Sequence, residues 1–443
     1  MPDKINYMNP LLRLFAYISI FLAYILFMRT YAPLGVYWLD FHAQRIFNAV
    51  EFLKLNGYLS FYGYTIWDTC KDCLLDASIW EESIYFSSHG INLIPYAIIN
   101  HLGGKEYLLL LGPMLDKLII FICATLVAEL VIKSTISLTR FPSNLIGIAS
   151  FSLFALAPWT YKMIIAPWAE TYFLMFLLFG MLAFSAQKTR WGFIAFFMAG
   201  LFHYQWAAVT GVFYLLLIAV QNLFSKDINN SISKYFPPHH GLQKHRLKVL
   251  LSITLPVFLL ILFRLFVQQY YEPGSGSSMF ERVGISGNDI SNGGLLGALQ
   301  FLGGARFTQC FQGLGIQVVS TDTAMLIAIY NCLFSLAGMA ILSVISMIGI
   351  YFLVQKSNLA MQVFLPLIFA MLCMITLLQQ SLSVHLMGYS FIFSALLSAG
   401  IIMMMILLQN KLSSPLLGLI FSIPCILGIL ILCIRTSMLS GMS

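Results

Sequence analysis

Apolar runs long enough to cross a bilayer recur along most of this chain, and they constrain its fold more than any other feature. A hydrocarbon core of about 30 Å requires about 20 consecutive apolar residues in a helix. Of the 443 residues, 60% are hydrophobic and 9% are charged, whereas soluble domains carry about 25% charged residues. The runs lack the period-two alternation of membrane β-barrel strands. We therefore expect an all-α fold, a polytopic transmembrane helical bundle in one membrane domain over residues 1–443.

Hydropathy places eleven membrane helices in the chain. Residues 200–206 are the predicted turn between the fifth and sixth helices, because residues 191–224 are short for two crossings. The first helix is too long for a cleaved signal peptide and is interpreted as a retained signal anchor. The predicted helices cover residues 11–34, 107–132, 143–160, 168–187, 191–205, 207–224, 248–268, 324–354, 359–378, 387–408 and 415–434.

Charged residues predict the orientation of these helices. Loops on one side are basic and contain few acids, and the positive-inside rule places such loops in the cytoplasm. They carry Lys4, Arg13, Lys133, Arg140, Lys188, Arg190, Lys226, Lys244, Lys356 and Lys411. The opposite loops hold most of the acids. We therefore expect a multi-pass protein of the plasma (inner) membrane with a cytoplasmic N-terminus. Because the cations concentrate in short loops, the net charge of +7 does not indicate nucleic-acid binding, and we expect no nucleic-acid partner.

Two large loops lie on the predicted extracytoplasmic side, at residues 35–106 and 269–323. In the first loop, residues 41–53 and 91–99 have apolar residues at helical spacing, which is typical of amphipathic helices in the membrane interface. The second loop contains a Gly- and Ser-rich stretch at residues 273–278, which predicts mobility. This loop is either a lid over a substrate site or a connection without a further role.

Cys70 and Cys73 form a C-x-x-C pair in the first loop. A zinc half-site would need two further ligands, and redox motifs usually belong to a thioredoxin-like unit. A local disulfide and a pair of free thiols remain the two open interpretations.

Short segments with a recognisable order run through the first 220 residues and a patch near residue 385. They are residues 39–42, 88–95, 102–107, 157–158 with 169–173, 199–206 and 385–389. In this order they resemble the integral-membrane glycosyltransferases of the GT-C class, such as the protein O-mannosyltransferase and aminoarabinose transferase families. The chain departs from that pattern where Phe41, rather than a second acid, follows Asp40, where residues 203–205 replace a Thr-Arg pair, and at Gly388.

The resemblance implies an inverting glycosyltransferase that moves a hexosyl or pentosyl group from a polyprenyl- or dolichyl-phosphate donor. The acceptor is a glycan, lipid or protein on the extracytoplasmic face, and membrane lipids surround the protein. The residues themselves leave two alternatives open. One is a transporter or flippase of a lipid-linked saccharide, although matched halves with broken spans are not evident, and the other is a polysaccharide polymerase or ligase.

Such a reaction requires a base, cations around the leaving phosphate and an aromatic groove. Asp40 matches the family's catalytic carboxylate, and its alternative role is to cap the following helix. Glu170 is expected as a second carboxylate that binds acceptor or metal, or else as an ion-pair partner of Lys162. A divalent cation, Mg²⁺ or Mn²⁺, is an optional cofactor, since the chain contains no metal-ligand motif.

The remaining candidates fall into two sets, each with an ordinary structural alternative. Arg264 could instead snorkel to the interface, and each histidine could instead be a hydrogen-bonded interior residue. The expected donor-phosphate ligands are His89, Lys105, Arg264, Arg306 and His385. The expected acceptor and sugar contacts are His42, Glu81, Trp168, His203 and Tyr389. Asp116 and Lys117, within the second span, are expected to face the bundle interior, either as a neutralised pair or beside the site.

Overall fold

A computed structural model provides the structure of the chain. It describes residues 10–31, 49–51, 54, 65–66, 84–85, 90–139, 141–165, 169–223, 246–268, 323–377, 382–412 and 415–441. The predicted second loop, residues 269–323, lies outside these residues except for Thr323, and the Cys70–Cys73 pair lies outside them as well.

Twelve α-helices make up most of the described residues. They are α1 (Pro10–Tyr31), α2 (Ile94–Thr135), α3 (Ser143–Ala155), α4 (Pro158–Ile165), α5 (Ala169–Ser185), α6 (Thr189–Phe202), α7 (Tyr204–Leu223), α8 (Arg246–Gln268), α9 (Thr323–Lys356), α10 (Asn358–Leu377), α11 (Leu382–Lys411) and α12 (Pro415–Gly441). A 3₁₀ turn (Gly90–Leu93) precedes α2, and β1 (Thr65–Ile66) pairs antiparallel with β2 (Ile84–Tyr85). The expected all-α class is confirmed, with this short strand pair as an addition in the first loop.

Four of the described helices are long and apolar enough to cross a membrane. These segments are Pro10–Met28, Ala337–Lys356, Phe391–Lys411 and Ile420–Ser437. Several other apolar helices are shorter, among them α3 and α6. The helices are therefore compatible with a membrane protein, and the number of eleven crossings stays a prediction.

Two breaks between helices lie near the candidate site, one at His203 and one before Pro158. The predicted turn between the fifth and sixth helices is confirmed, because His203 has φ −147° and ψ 86° between α6 and α7. The predicted helix 143–160 is wrong as a single element, since α3 ends at Ala155 and α4 begins at Pro158. Proline favours the first position of a helix and disfavours helical backbone in the residue before it.

Helix α11 forms the centre of the bundle. It packs against α2, α3, α4, α5, α9, α10 and α12, and residues 391–403 are buried. Small residues allow α9 to approach it closely, and a Cβ added at Gly349 would lie 2.0 Å from the carbonyl oxygen of Gly400. Close contacts between small residues are a common means of helix association in membranes.

One end of the bundle gathers several basic residues, and we call it the basic end. It includes Arg13, Lys133, Lys188, Arg190 and Lys411. The contacts that join the helices there are Arg13 with Glu129 (2.6 Å), Lys133 with Ser185 (3.2 Å), Thr139 with Gln409 (2.9 Å) and Asn410 with the Leu138 carbonyl (3.0 Å). The opposite end, where α5 begins and α6 stops at His203, is called the mouth.

Candidate functional site

Two glycines interrupt α2 and reverse its direction. Gly103 has φ −152° and ψ 15°, and Gly104 has φ 70° and ψ −160°. The backbone of Gly104 is left-handed, a conformation that glycine adopts without the steric cost of a Cβ. At Gly103 a Cβ would lie 2.2 Å from the ring of Tyr107. Residues 90–102 therefore form a separate unit, which we call the folded-back segment.

The folded-back segment reaches a buried carboxylate. The hydroxyl of Tyr96 donates a hydrogen bond to Oδ1 of Asp116, although the two residues are 20 positions apart. In a continuous helix that separation would be about 30 Å, so the contact requires the segment to run back alongside the rest of α2. Both side chains are buried, with exposures of 3% for Tyr96 and 1% for Asp116.

Asp116 lies in the interior of the bundle, where it accepts the hydrogen bond from Tyr96. The expectation that Asp116 faces the bundle interior is confirmed by its burial. Lys117 is the next residue along the helix and only half-buried, and neighbouring positions on a helix do not face each other. Tyr96, which the sequence analysis did not single out, supplies a neutral hydrogen-bond donor to the acid.

The folded-back segment has one buried face and one exposed apolar face. The buried positions, at helical spacing, are Leu93, Tyr96, Ala97 and Asn100. The exposed face consists of Ile94 (45%), Ile98 (57%) and Leu102 (72%). An exposed apolar face continues along α2 at Tyr107, Leu110, Met114 and Leu118. The segment is helical from Ile94 onward, and its exposed apolar face is of the kind that membrane helices turn toward lipid. The amphipathic interfacial helix predicted at residues 91–99 stays a prediction.

A second contact holds the folded-back segment to an earlier part of the first loop. The side-chain amide of Asn100 donates to Oε1 of Glu51 at 2.6 Å. Glu51 also lies 3.6 Å from the ammonium group of Lys54, whose side chain is half exposed. A hydrogen bond to a carboxylate is stronger than one between neutral groups, whereas an exposed ion pair contributes little. The Asn100 contact is therefore the second anchor of the segment.

Aromatic side chains of α5 and α6 line the mouth beside this carboxylate. Tyr172 of α5 lies next to Tyr96 and close enough to Asp116 to interact with its charge. The ring of Tyr172 stacks on Phe202 with centroids 4.7 Å apart, and the ring of Phe176 also stacks on Phe202, at 5.3 Å. These rings fasten the mouth ends of α5 and α6 together.

His203 occupies the turn between α6 and α7. Its Nδ1 accepts a hydrogen bond from the backbone N–H of Trp206 at 3.5 Å, and the ring of Phe173 lies 6.4 Å away. Trp206 is fully buried. The histidine therefore caps the first turn of α7, a position where side-chain acceptors satisfy otherwise unpaired backbone N–H groups. Its proposed contact with a sugar stays a prediction.

Close packing against α8 holds this turn in place. A Cβ added at Gly200 would lie 2.4 Å from Pro256, and one added at Gly211 would lie 2.4 Å from Thr254. Helices α6 and α7 thus form a hairpin around His203, and both arms contact the same turn of α8.

The structure locates some of the predicted site residues. Lys105 is exposed at the start of the second part of α2, and Glu170 lies in the first turn of α5. Arg264 belongs to α8, and His385 and Tyr389 belong to the first turns of α11. The candidates outside the described residues are Asp40, His42, Glu81, His89, Trp168 and Arg306.

Three of the located candidates belong to the mouth, namely Glu170, His385 and His203. Glu170 precedes Tyr172 by two positions and so lies on the turn that reaches the Asp116 cluster. Phe393 of α11 contacts Trp159 with ring centroids 4.9 Å apart. His385 lies about 12 Å from Phe393 toward the N-terminus of α11, the end opposite Lys411. His203 ends α6. Lys105 is more distant, about 16 Å from Asp116 along α2.

Tyr96, Tyr172 and Asn100 were missed by sequence reasoning. An acid in an apolar span indicates that a partner for its carboxylate lies nearby, but the sequence does not identify that partner. Within the described part of the chain, no three His, Cys, Asp or Glu side chains converge to hold a metal ion.

Comparison with protein-family models, with curated proteins and with solved structures finds no match to this chain.

Proposed function

We propose that this protein is a membrane glycosyltransferase that transfers a sugar from a polyprenyl-phosphate-linked donor to an acceptor on the extracytoplasmic face. The observation that carries the proposal is the approach of the folded-back segment, at the end of the first loop, to the buried Asp116. In this proposal the basic end is cytoplasmic, as the positive-inside rule predicts, and the mouth faces outward in the plasma membrane.

Helix lengths support a recess at the mouth. Helices α3, α5 and α6 have 13, 17 and 14 residues, and their lengths of about 20, 26 and 21 Å fall short of a core of about 30 Å. Their mouth ends would then lie below the outer membrane surface. Non-helical backbone at that depth, as at His203, occurs where it is buried in protein or lines a water-filled cavity.

The length of α2 sets the depth of Asp116. From Lys105 to Lys133 the helix measures about 42 Å, close to the head-group-to-head-group thickness of about 40–45 Å. With Lys105 at the outer head groups, Asp116 lies about 16 Å deeper, in the outer half of the membrane. The folded-back segment is then a re-entrant element of the outer leaflet.

A lipid-linked sugar suits such a place. Its apolar chain would stay in the outer leaflet while its phosphate and sugar enter the recess. Asp40 would accept the proton of the acceptor hydroxyl as the acceptor oxygen bonds to the anomeric carbon with inversion. The bond from that carbon to the phosphate oxygen breaks, and the polyprenyl phosphate leaves with the electron pair.

The remaining predicted residues would divide between the two substrates. The leaving phosphate is assigned to His89, Lys105, Arg264, Arg306 and His385. The acceptor and sugar are assigned to His42, Glu81, Trp168, His203 and Tyr389. Glu170, at the N-terminus of α5, would bind acceptor, or a divalent cation such as Mg²⁺ or Mn²⁺ if one takes part.

The test is sugar transfer by the purified protein in lipid nanodiscs, with a panel of polyprenyl-phosphate sugars. Asp40→Asn should abolish transfer while donor binding and thermal stability remain. Glu106→Gln is the matched control, because Glu106 is an exposed acid near the same loop with no assigned role. Full activity of the Asp40→Asn protein would rule out the catalytic assignment.

A transporter or flippase for a lipid-linked saccharide is the second candidate. Helices that stop inside the membrane, as α6 does at His203, are also typical of transporters. A fluorescent lipid-linked sugar in reconstituted vesicles separates the two functions. Movement of this lipid between leaflets without sugar transfer would favour the transporter.

A further inference from the structure

We propose that the folded-back segment is a gate at the mouth, which closes when Tyr96 binds Asp116 and opens about Gly103 and Gly104. The open gate would admit the polar head of a lipid-linked substrate from the outer leaflet. The nature of that substrate rests on the proposed function, whereas the movement itself does not.

The two glycines have the properties of a hinge. The reversal of direction is confined to them, with helical backbone on both sides, and hinges generally consist of a few residues that absorb large backbone changes. A Cβ added at Gly104 would meet nothing within 4 Å, so there is open space on that side of the hinge. Its φ of 70° belongs to the closed arrangement.

Two polar contacts hold the gate closed, and both leave from its buried face. Tyr96 binds Asp116, and Asn100 binds Glu51. The other face of the segment, at Ile94, Ile98 and Leu102, is exposed and apolar. Acyl chains can cover that face whether the gate is open or closed, so opening changes mainly the environment of the buried face.

Opening of the gate breaks the Tyr96–Asp116 hydrogen bond, so opening depends on which group then takes the place of Tyr96. A buried carboxylate that loses a hydrogen-bond donor is destabilised, because burial already separates it from water. Opening is therefore unfavourable unless water or the hydroxyl groups of a substrate take over from Tyr96. A ligand that binds Asp116 in the open state shifts the population toward that state by its differential affinity.

Cysteine labelling tests the movement without any enzymatic assay. Ala97 is 3% exposed and lies beside Tyr96 on the buried face, whereas Glu106 is exposed just beyond the hinge. Ala97→Cys should react slowly with a small maleimide and Glu106→Cys quickly. Because the chain contains eight native cysteines, labelling is measured by mass spectrometry on the peptide that contains the introduced residue.

Tyr96→Phe removes the hydrogen-bond donor and should accelerate labelling of Ala97→Cys at least tenfold, with labelling of Glu106→Cys unchanged. Tyr351→Phe is the matched control, because Tyr351 is exposed on the distant helix α9, and it should have no effect. Asp116→Asn retains a carbonyl oxygen that can accept from Tyr96, so its effect should be smaller than that of Tyr96→Phe.

Gly104→Ala gives an independent test through the backbone. The added methyl group meets no neighbour, but alanine disfavours the left-handed conformation of the closed gate, so Ala97→Cys should again label faster. Monodisperse elution and retained helicity establish that each variant is folded. Unchanged labelling of Ala97→Cys in both folded variants would show a static segment and overturn the gate, whether or not the protein transfers sugar.

Discussion

Arg13 and Glu129 form an ion pair of 2.6 Å that joins the first turn of α1 to the last turns of α2. Their side chains are 14% and 26% exposed, so each charge relies on the other rather than on bulk water. The same end of the bundle holds the exposed Lys133 and Arg190. This pair therefore fixes the first helix to the bundle at the basic end.

Breaking this ion pair should destabilise the protein. Arg13→Gln or Glu129→Gln leaves one partly buried charge without its partner, and we expect a loss of about 1–3 kcal/mol, below the range for fully buried pairs. Thermal unfolding in detergent provides the measurement. The exchanged variant Arg13→Glu with Glu129→Arg should recover part of the loss, and Arg190→Gln should have no effect. Equal losses in the single and exchanged variants would show that packing, not charge, matters there.

The contact between α9 and α11 should be intolerant of a single methyl group. Gly349→Ala would place a Cβ 2.0 Å from the Gly400 carbonyl oxygen, and backbone cannot move aside as a side chain can. Overpacking of this kind costs about 1–3 kcal/mol. Gly428→Ala in α12 is the control, because its Cβ would meet nothing within 4 Å, and it should stabilise the helix by about 0.5–1 kcal/mol. The comparison of their unfolding temperatures tests the prediction, which fails if both variants behave alike.

The Tyr96–Asp116 hydrogen bond should show strong coupling between its two partners. Tyr96→Phe alone removes a hydrogen-bond donor from a buried carboxylate and should cost about 1–3 kcal/mol. Replacing both partners with apolar groups, as in Tyr96→Phe with Asp116→Leu, should restore most of that loss. A double-mutant cycle on thermal stability measures the coupling. Strictly additive effects would mean that the two side chains contribute independently.

Two variants of His203 should distinguish a helix-capping role from a role in substrate binding. Asn caps helices well, so His203→Asn should retain stability, while His203→Ala should lose about 1 kcal/mol or less. If His203 also contacts a sugar, the Asn variant should raise KM for the acceptor in the transfer assay despite normal stability. Unchanged KM in a stable Asn variant would restrict His203 to the structural role.

Helix positions could be predicted well because hydropathy is a local property of the chain. The turn at His203 follows from the limited length of residues 191–224, and the long helices α9 and α12 follow from their apolar runs. The break before Pro158 was missed because apolar composition continues across it. Proline at that position is compatible with either a kinked helix or a new one.

The sequence by itself determined the all-helical class, the apolar runs long enough to cross a membrane and the uneven distribution of charge along the chain. All three are properties of neighbouring residues or of composition. Only the tertiary structure decided that Tyr96 binds Asp116, because the glycines at 103 and 104 permit a reversal of the chain without requiring it. The reversal depends on the fit of Tyr96 and Asn100 against partners distant in sequence, and such contacts leave no local pattern.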